Sequence, residues 1–141
     1  MNVFHTKRTI PVSSTVLFKA FEDPALLKKW WGPDGFTTTS LSFEFKPKGV
    51  WKFVMHGPGG QNFPNEMVFE EIVASKKVVM RHNVEPYFTL TVTFDEAENG
   101  TTLHWHQAFD NEDVARAMAT IVKPANEQNL DKLQSLVANK K

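Results

Sequence analysis

The sequence predicts an α+β fold: a curved antiparallel sheet of about six or seven strands wrapped around a long C-terminal helix. Three observations carry that expectation. From residue 37 to 109 apolar and polar residues alternate with period two. After Asn111 the period becomes helical, and between a first strand and the alternating block stand two short helical stretches. A single domain spanning residues 1–141 is expected, because this length supports one core and is short for two.

The elements follow in order. "FHTKRTIPV" has Thr, Ile and Val in extended style, giving a strand over about residues 4–12. Ser13 or Ser14 then caps a helix whose Val16, Leu17, Ala20 and Phe21 share one face. Asp23-Pro24 restarts it, since Asp caps and Pro suits a first turn. Leu26, Leu27, Trp30 and Trp31 follow at helical spacing, and Gly32-Pro33 ends the helix. In the alternating block Phe43 and Phe45 oppose Ser42 and Glu44, and Trp51, Phe53 and Met55 oppose Lys52 and Val54. Phe88, Leu90, Val92 and Phe94 oppose Thr89, Thr91 and Thr93; Leu103, Trp105 and Phe109 share a face with Gln107. Such alternation marks a sheet with one dry face and one wet face. "KPKG", "GPGG", "ASKK" and "ENG" supply the turns. From about residue 111 to 139 Val114, Met118, Ile121, Val122, Leu130, Leu133 and Val137 form a helical stripe. Pro124 is expected to kink or split that helix, and Asn126 falls on its apolar side.

Composition narrows function. Sixteen Lys+Arg balance sixteen Asp+Glu, without a basic stretch, so neither nucleic acid nor an anionic membrane surface is an expected partner. Cysteine is absent, which removes disulfides, thiolate metal sites and cysteine nucleophiles. No apolar run has the length of a signal peptide or a transmembrane helix, so a cytoplasmic location is expected. Twelve Phe and four Trp stand against one Tyr, so the aromatic surface is nearly free of hydroxyls and must fill a core or line a space inside it.

At "ALLKKWWGPDGFTTT" the chain resembles the START-like helix-grip superfamily, in the branch of the activator of heat-shock protein ATPase homologues. "EFKPKGVWKFVMHGPGG" resembles the family's Gly-Gly hairpin, Gly49 matching the second glycine, and "EQNLDKLQSLV" resembles the end of its last helix. Lys48 stands in place of the first hairpin glycine and Ala74-Ser75 where a proline is usual. Ala125-Asn126 replaces a common Gly-Trp pair, a change expected to enlarge the pocket and add a polar group. The resemblance implies a helix-grip fold with an internal cavity; members include lipid and polyketide binders, cyclases and co-chaperones.

The expected function is binding of a small hydrophobic ligand between sheet and C-terminal helix, as carrier or sensor. The expected ligand-binding residues are Trp30, Trp31, Phe43, Trp51, Phe53, Met55, Phe69, Met80, His82, Phe88, Leu90, Trp105, Met118, Val122 and Asn126, with His82 and Asn126 orienting the ligand. The plain alternative is that the apolar set forms solid core. A ligand of about 20 heavy atoms at roughly 0.3 kcal/mol each gains about 6 kcal/mol. A co-chaperone module acting on a heat-shock ATPase and a cyclase or hydrolase with a hydrophobic substrate are the other two readings. No cofactor and no catalytic residue is assigned, and the oligomeric state is expected to be monomer or homodimer. His104 and His106 have metal-compatible spacing but face solvent, so no metal is expected. Strand parity puts Glu70 and Glu71 on opposite faces, so one could supply a buried carboxylate, but a rim or surface charge is the expected role. "GPGG" is a hairpin turn rather than a phosphate loop.

Overall fold

The computed structural model describes residues 2–138, and the predicted helix end at Asn139 lies outside the described residues. The elements are β1 (Val3–Ile10), α1 (Ser14–Glu22), α2 (Pro24–Trp30), β2 (Thr37–Phe43), β3 (Val50–His56), β4 (Asn62–Val73), β5 (Lys77–His82), β6 (Phe88–Ala97), β7 (Gly100–Phe109) and α3 (Glu112–Val137). Strands β2 to β7 form an antiparallel meander, and β1 closes on β7, giving the order β1-β7-β6-β5-β4-β3-β2.

Local chemistry sets the helix boundaries. Ser13 caps α1, its Oγ accepting the Val16 N–H at 3.2 Å. Asp23 ends α1 and caps α2, accepting the Ala25 N–H at 2.9 Å with Pro24 in the first turn. Trp31 is the residue at which α2 leaves helical geometry, so Trp30 and Trp31 belong to different local conformations.

Two expectations are corrected. Pro124 does not split α3, which is one helix from Glu112 to Val137. Pro124 and Thr120, whose carbonyl loses its helical donor, are both exposed, so water can serve the freed oxygen. Ile121 leaves the apolar stripe and is 65% exposed. Glu70 and Glu71 are both exposed, because a bulge between Phe69 and Glu71 inserts a residue and resets strand parity. A second irregularity between Ser40 and Ser42 throws Leu41 outward.

The buried apolar residues form two groups. The larger joins α1, α2, most of the sheet and, from α3, Leu130, Leu133 and Val137. The smaller consists of Phe4, Phe109, Ala115 and Val122, with Phe88, Val114, Met118 and Ala119 against it. Arg8 of β1 reaches α3, pairing with Asp131 at 2.6 Å and Glu127 at 2.9 Å.

The β2–β3 hairpin tolerates a Lys in one place and demands Gly in the next. Lys48 adopts a left-handed φ of 70° while its N–H donates to the Phe69 carbonyl at 2.7 Å. A Cβ on Gly49 would stand 2.1 Å from the Glu44 carbonyl oxygen. Gly49→Ala is therefore expected to lower stability by about 2–4 kcal/mol, read as a lower urea midpoint with an unchanged slope. A loss below about 0.5 kcal/mol would show that the hairpin yields instead.

Candidate functional site

The site is built on the loop after α2. Gly32 takes a φ of 114°, open to glycine, and donates its N–H to Asn129 Oδ1 at 2.8 Å. Lys132 Nζ donates to the Gly32 carbonyl at 2.8 Å and the Pro33 carbonyl at 3.0 Å. Gln128 Oε1 accepts the Asp34 N–H at 3.0 Å. Thr38 Oγ1 donates to the Trp31 carbonyl at 2.9 Å, tying the loop to β2 as well. Burial lowers the Lys132 pKa from its ordinary value, opposed by the nearby Asp34 charge.

That loop separates the two indoles. Trp30 is fully buried, donates Nε1–H to the Ala20 carbonyl at 3.1 Å and meets Phe21 edge-on at 4.9 Å. Trp31 turns the other way, edge-on to Trp51 at 5.3 Å, and forms part of the wall of an internal cavity of about 190 Å³. This cavity lies between the sheet and α3, where the two apolar groups leave space between them.

Of the predicted residues, Trp31, Phe53, Met55, His82, Phe88, Leu90, Trp105, Met118, Val122 and Asn126 line the cavity. Trp30, Phe43, Trp51, Phe69 and Met80 do not; they pack in the larger core. The distinction is positional. Trp30 stands on α2, while Phe43, Trp51, Phe69 and Met80 stand on strands β2 to β5 and pack with it in the larger apolar group, outside the cavity wall. Ile121, exposed as it is, also borders the cavity and marks its mouth on α3.

The polar groups of the wall are few and mostly paired. His82 is 5% exposed, with Nδ1 2.7 Å from the Pro86 carbonyl and Nε2 2.6 Å from Asn65 Oδ1. Its ring stacks on Phe88 at 4.5 Å. Burial lowers the His82 pKa; the Pro86 carbonyl opposes that shift and the Arg81 charge adds to it. Asn126 Nδ2 donates to Gln107 Oε1 at 3.0 Å, both side chains being buried. Trp105 Nε1 is buried without a hydrogen-bond partner among the described residues.

Sequence reasoning missed Asn65 and Asn129 and left Gln107 without a role. Gln107 had a signal: it shares strand parity with Leu103, Trp105 and Phe109. Asn65 precedes Met67 on the same face of β4, and Asn129 stands beside Leu130 on α3, but neither is set apart by composition.

Residues 11–138 match the family described as Activator of Hsp90 ATPase homolog 1-like protein. The chain belongs to that family. The fold agrees with solved structures along almost the whole chain. A protein of Nitrosomonas europaea gives a TM-score of 0.90 at 19% identity, covering 98% of this chain and 95% of that one. One of Rhodobacter sphaeroides gives 0.88 at 19% identity, covering 99% and 95%. The AHSA1-like protein of Aeromonas hydrophila gives 0.77 at 18% identity, covering 98% and 93%. At such identities the likeness speaks of the fold alone. No curated protein matches the sequence at a significant level.

Ala125 and Asn126 fall directly in the cavity wall. Other candidate chemistry lies elsewhere. His104 and His106 are on the outer face of β7; His104 Nε2 contacts Asp95 at 3.0 Å, and His5 stacks on His104 at 5.7 Å. Among the described residues no group of three His, Cys, Asp or Glu side chains is placed to hold a metal ion. The "GPGG" stretch joins β3 to β4, with Gly57 N–H donating to the Gln61 carbonyl at 2.8 Å. Among the described residues no helix is long and apolar enough to cross a membrane.

Asn129→Ala removes the acceptor of a buried N–H and is expected to cost about 1–3 kcal/mol by thermal or urea unfolding. An unchanged midpoint would mean that the loop is held by other contacts. The lowered His82 pKa has a definite sign. Below the unfolded value of 6.5 the unfolded chain binds more protons than the folded one. Stability from this group is complete above that pH and falls as pH drops through 6.5 toward the folded pKa. Urea midpoints taken from about pH 8 to about pH 5 should show that fall, and His82→Gln should flatten it. A midpoint that rises on acidification would reverse the sign.

Proposed function

We propose that this chain binds a small, mostly apolar molecule in the cavity between sheet and α3, acting as a carrier or sensor. The observation that supports this reading is a cavity of about 190 Å³ between the sheet and α3 with mostly aromatic and aliphatic walls. Its size revises the expected guest. Drug-sized ligands occupy roughly 300–1,000 Å³. An apolar cavity of about 150 Å³ takes up benzene. By that scale the space here suits about eight non-hydrogen atoms rather than about 20. At roughly 0.5–1 kcal/mol per atom, between the limits for tiny and drug-sized ligands, such a guest gains about 4–8 kcal/mol. That corresponds to dissociation constants from about 1 mM to about 1 μM.

The family description supports a second reading, stimulation of a heat-shock ATPase. Turnover of the chaperone with and without the chain separates the two. The enzymatic reading draws no support from His82, because both its ring nitrogens are engaged by Pro86 and Asn65.

Native mass spectrometry and dye displacement with one-ring probes test the first reading. Ala125→Phe places a ring in the wall of the cavity and should weaken such binding by at least about tenfold. Unchanged binding in that variant would place the guest elsewhere.

A further inference from the structure

Given the binding reading proposed for the cavity, on which this inference rests, the wall specifies more than the size of the guest. Its residues include no Lys, Arg, Asp or Glu, so a charged guest would surrender its hydration with no ion to replace it. The imidazole and amide side chains of the wall fall into two sets. His82 and Asn65 are spent: the His82 nitrogens meet the Pro86 carbonyl and Asn65 Oδ1, and Asn65 Nδ2 donates to the Phe63 carbonyl at 2.9 Å. Gln107, Asn126 and Asn129 hold capacity in reserve.

Asn126 Nδ2 donates to Gln107 Oε1 at 3.0 Å, and neither side chain has another hydrogen bond among the described residues. Gln107 Nε2 and Asn126 Oδ1 are thus unpartnered. Turning both amides over would exchange the atoms and still leave one donor and one acceptor. Asn129, about one turn further along α3, gives Oδ1 to the Gly32 N–H and keeps its Nδ2. Among the described residues, Trp105 Nε1 alone is a sealed side-chain polar atom without a partner, so open space reaches these three amide atoms. Their residues stand in the cavity wall and are only 7–8% exposed, which makes that space the cavity. The reserve is two donor groups and one acceptor, Gln107 reaching in from β7 and the two asparagines from α3.

A hydrocarbon covering these groups would leave them unpaired, at a cost of about 1–3 kcal/mol each. An amide answers the whole set. Its oxygen has two lone pairs for the two donors, and its N–H serves the acceptor. With Gln107 and Asn126 joined by a 3.0 Å bond, amide dimensions keep Nε2 and Oδ1 no more than about 7.5 Å apart. One amide group with a bond of about 2.9 Å on each side spans that interval.

We propose that the guest is a neutral one-ring amide or lactam, its carbonyl oxygen accepting from Gln107 Nε2 and Asn129 Nδ2 and its N–H donating to Asn126 Oδ1. Carboxylates and ammonium compounds are excluded by the uncharged wall, and long-chain lipids by the volume.

Four probes of similar size decide the matter by isothermal calorimetry: benzamide, acetophenone, ethylbenzene and benzoate. Benzamide should bind at least about tenfold tighter than ethylbenzene, which leaves the amides unpaired. It should bind at least about threefold tighter than acetophenone, which lacks the N–H. Benzoate should show no binding. In Gln107→Met/Asn126→Leu, where both partners become apolar groups of similar shape, the benzamide-to-ethylbenzene preference should fall to about one or below. The order of affinities in the unmodified protein stands as a test even where that variant does not fold. Benzamide no tighter than ethylbenzene or acetophenone, binding of benzoate, or a preference that survives in the folded variant each overturns this inference while leaving the cavity as a binding site. Failure of all four probes to bind overturns the binding reading itself.

Discussion

Gln128, Asn129 and Lys132 project from one stretch of α3 and grip backbone atoms of Gly32, Pro33 and Asp34. Because the grip falls on main-chain groups, it specifies the path of the loop and leaves the neighbouring side chains free to pack. Everything around the cavity follows from that path. The indole before the turn is sealed between α1 and the sheet, and the indole at the turn is left against the space under α3. Two adjacent tryptophans, the same in composition terms, thereby acquire opposite surroundings.

A bent sheet and a helical rod cannot touch along their full length. Here the contact is made twice, at a large apolar group under the second half of α3 and at a small one under its first half. The cavity is the interval between them. Left dry, a void of about 190 Å³ forfeits roughly 4–5 kcal/mol on the scale set by core truncations. That is a large part of the net stability of an ordinary domain. Filling the interval with larger side chains would recover it, yet Ala125 and Asn126 stand there, one too small and the other polar.

Much of this architecture is legible in the sequence, and the misses have physical causes. The alternation of Phe88 through Phe94 appears in the burial of β6 almost residue for residue, because hydrogen-bonded strands cannot rotate their side chains independently of the pleat. The bulge at Glu70 leaves no compositional trace, since a single inserted residue changes parity without changing polarity. The chemistry of Pro124 alone points to a break, and chemistry does not reveal which side of a helix meets water. The wall is legible as a set of inward-facing residues, but parity says only which face is dry. It does not say where along the sheet a covering helix stands off, so Phe69 and Met80 cannot be separated from Leu90 by pattern. Trp105 carries no warning that its indole nitrogen is stranded, because satisfaction of a buried donor depends on atoms far away in the chain.

Pro124 gives α3 an asymmetry with a mechanical consequence. The ladder of backbone bonds lacks one rung at Thr120, close to the boundary between the segment resting on the small apolar group and the segment resting on the large one. Local unfolding of residues 112–121 would release Val114, Ala115, Met118 and Ala119 from the small group and leave the α3 contacts of the large group in place. The missing bond at Thr120 thus falls between the part of α3 that rests on the small apolar group and the part whose Asn129 and Lys132 hold the loop.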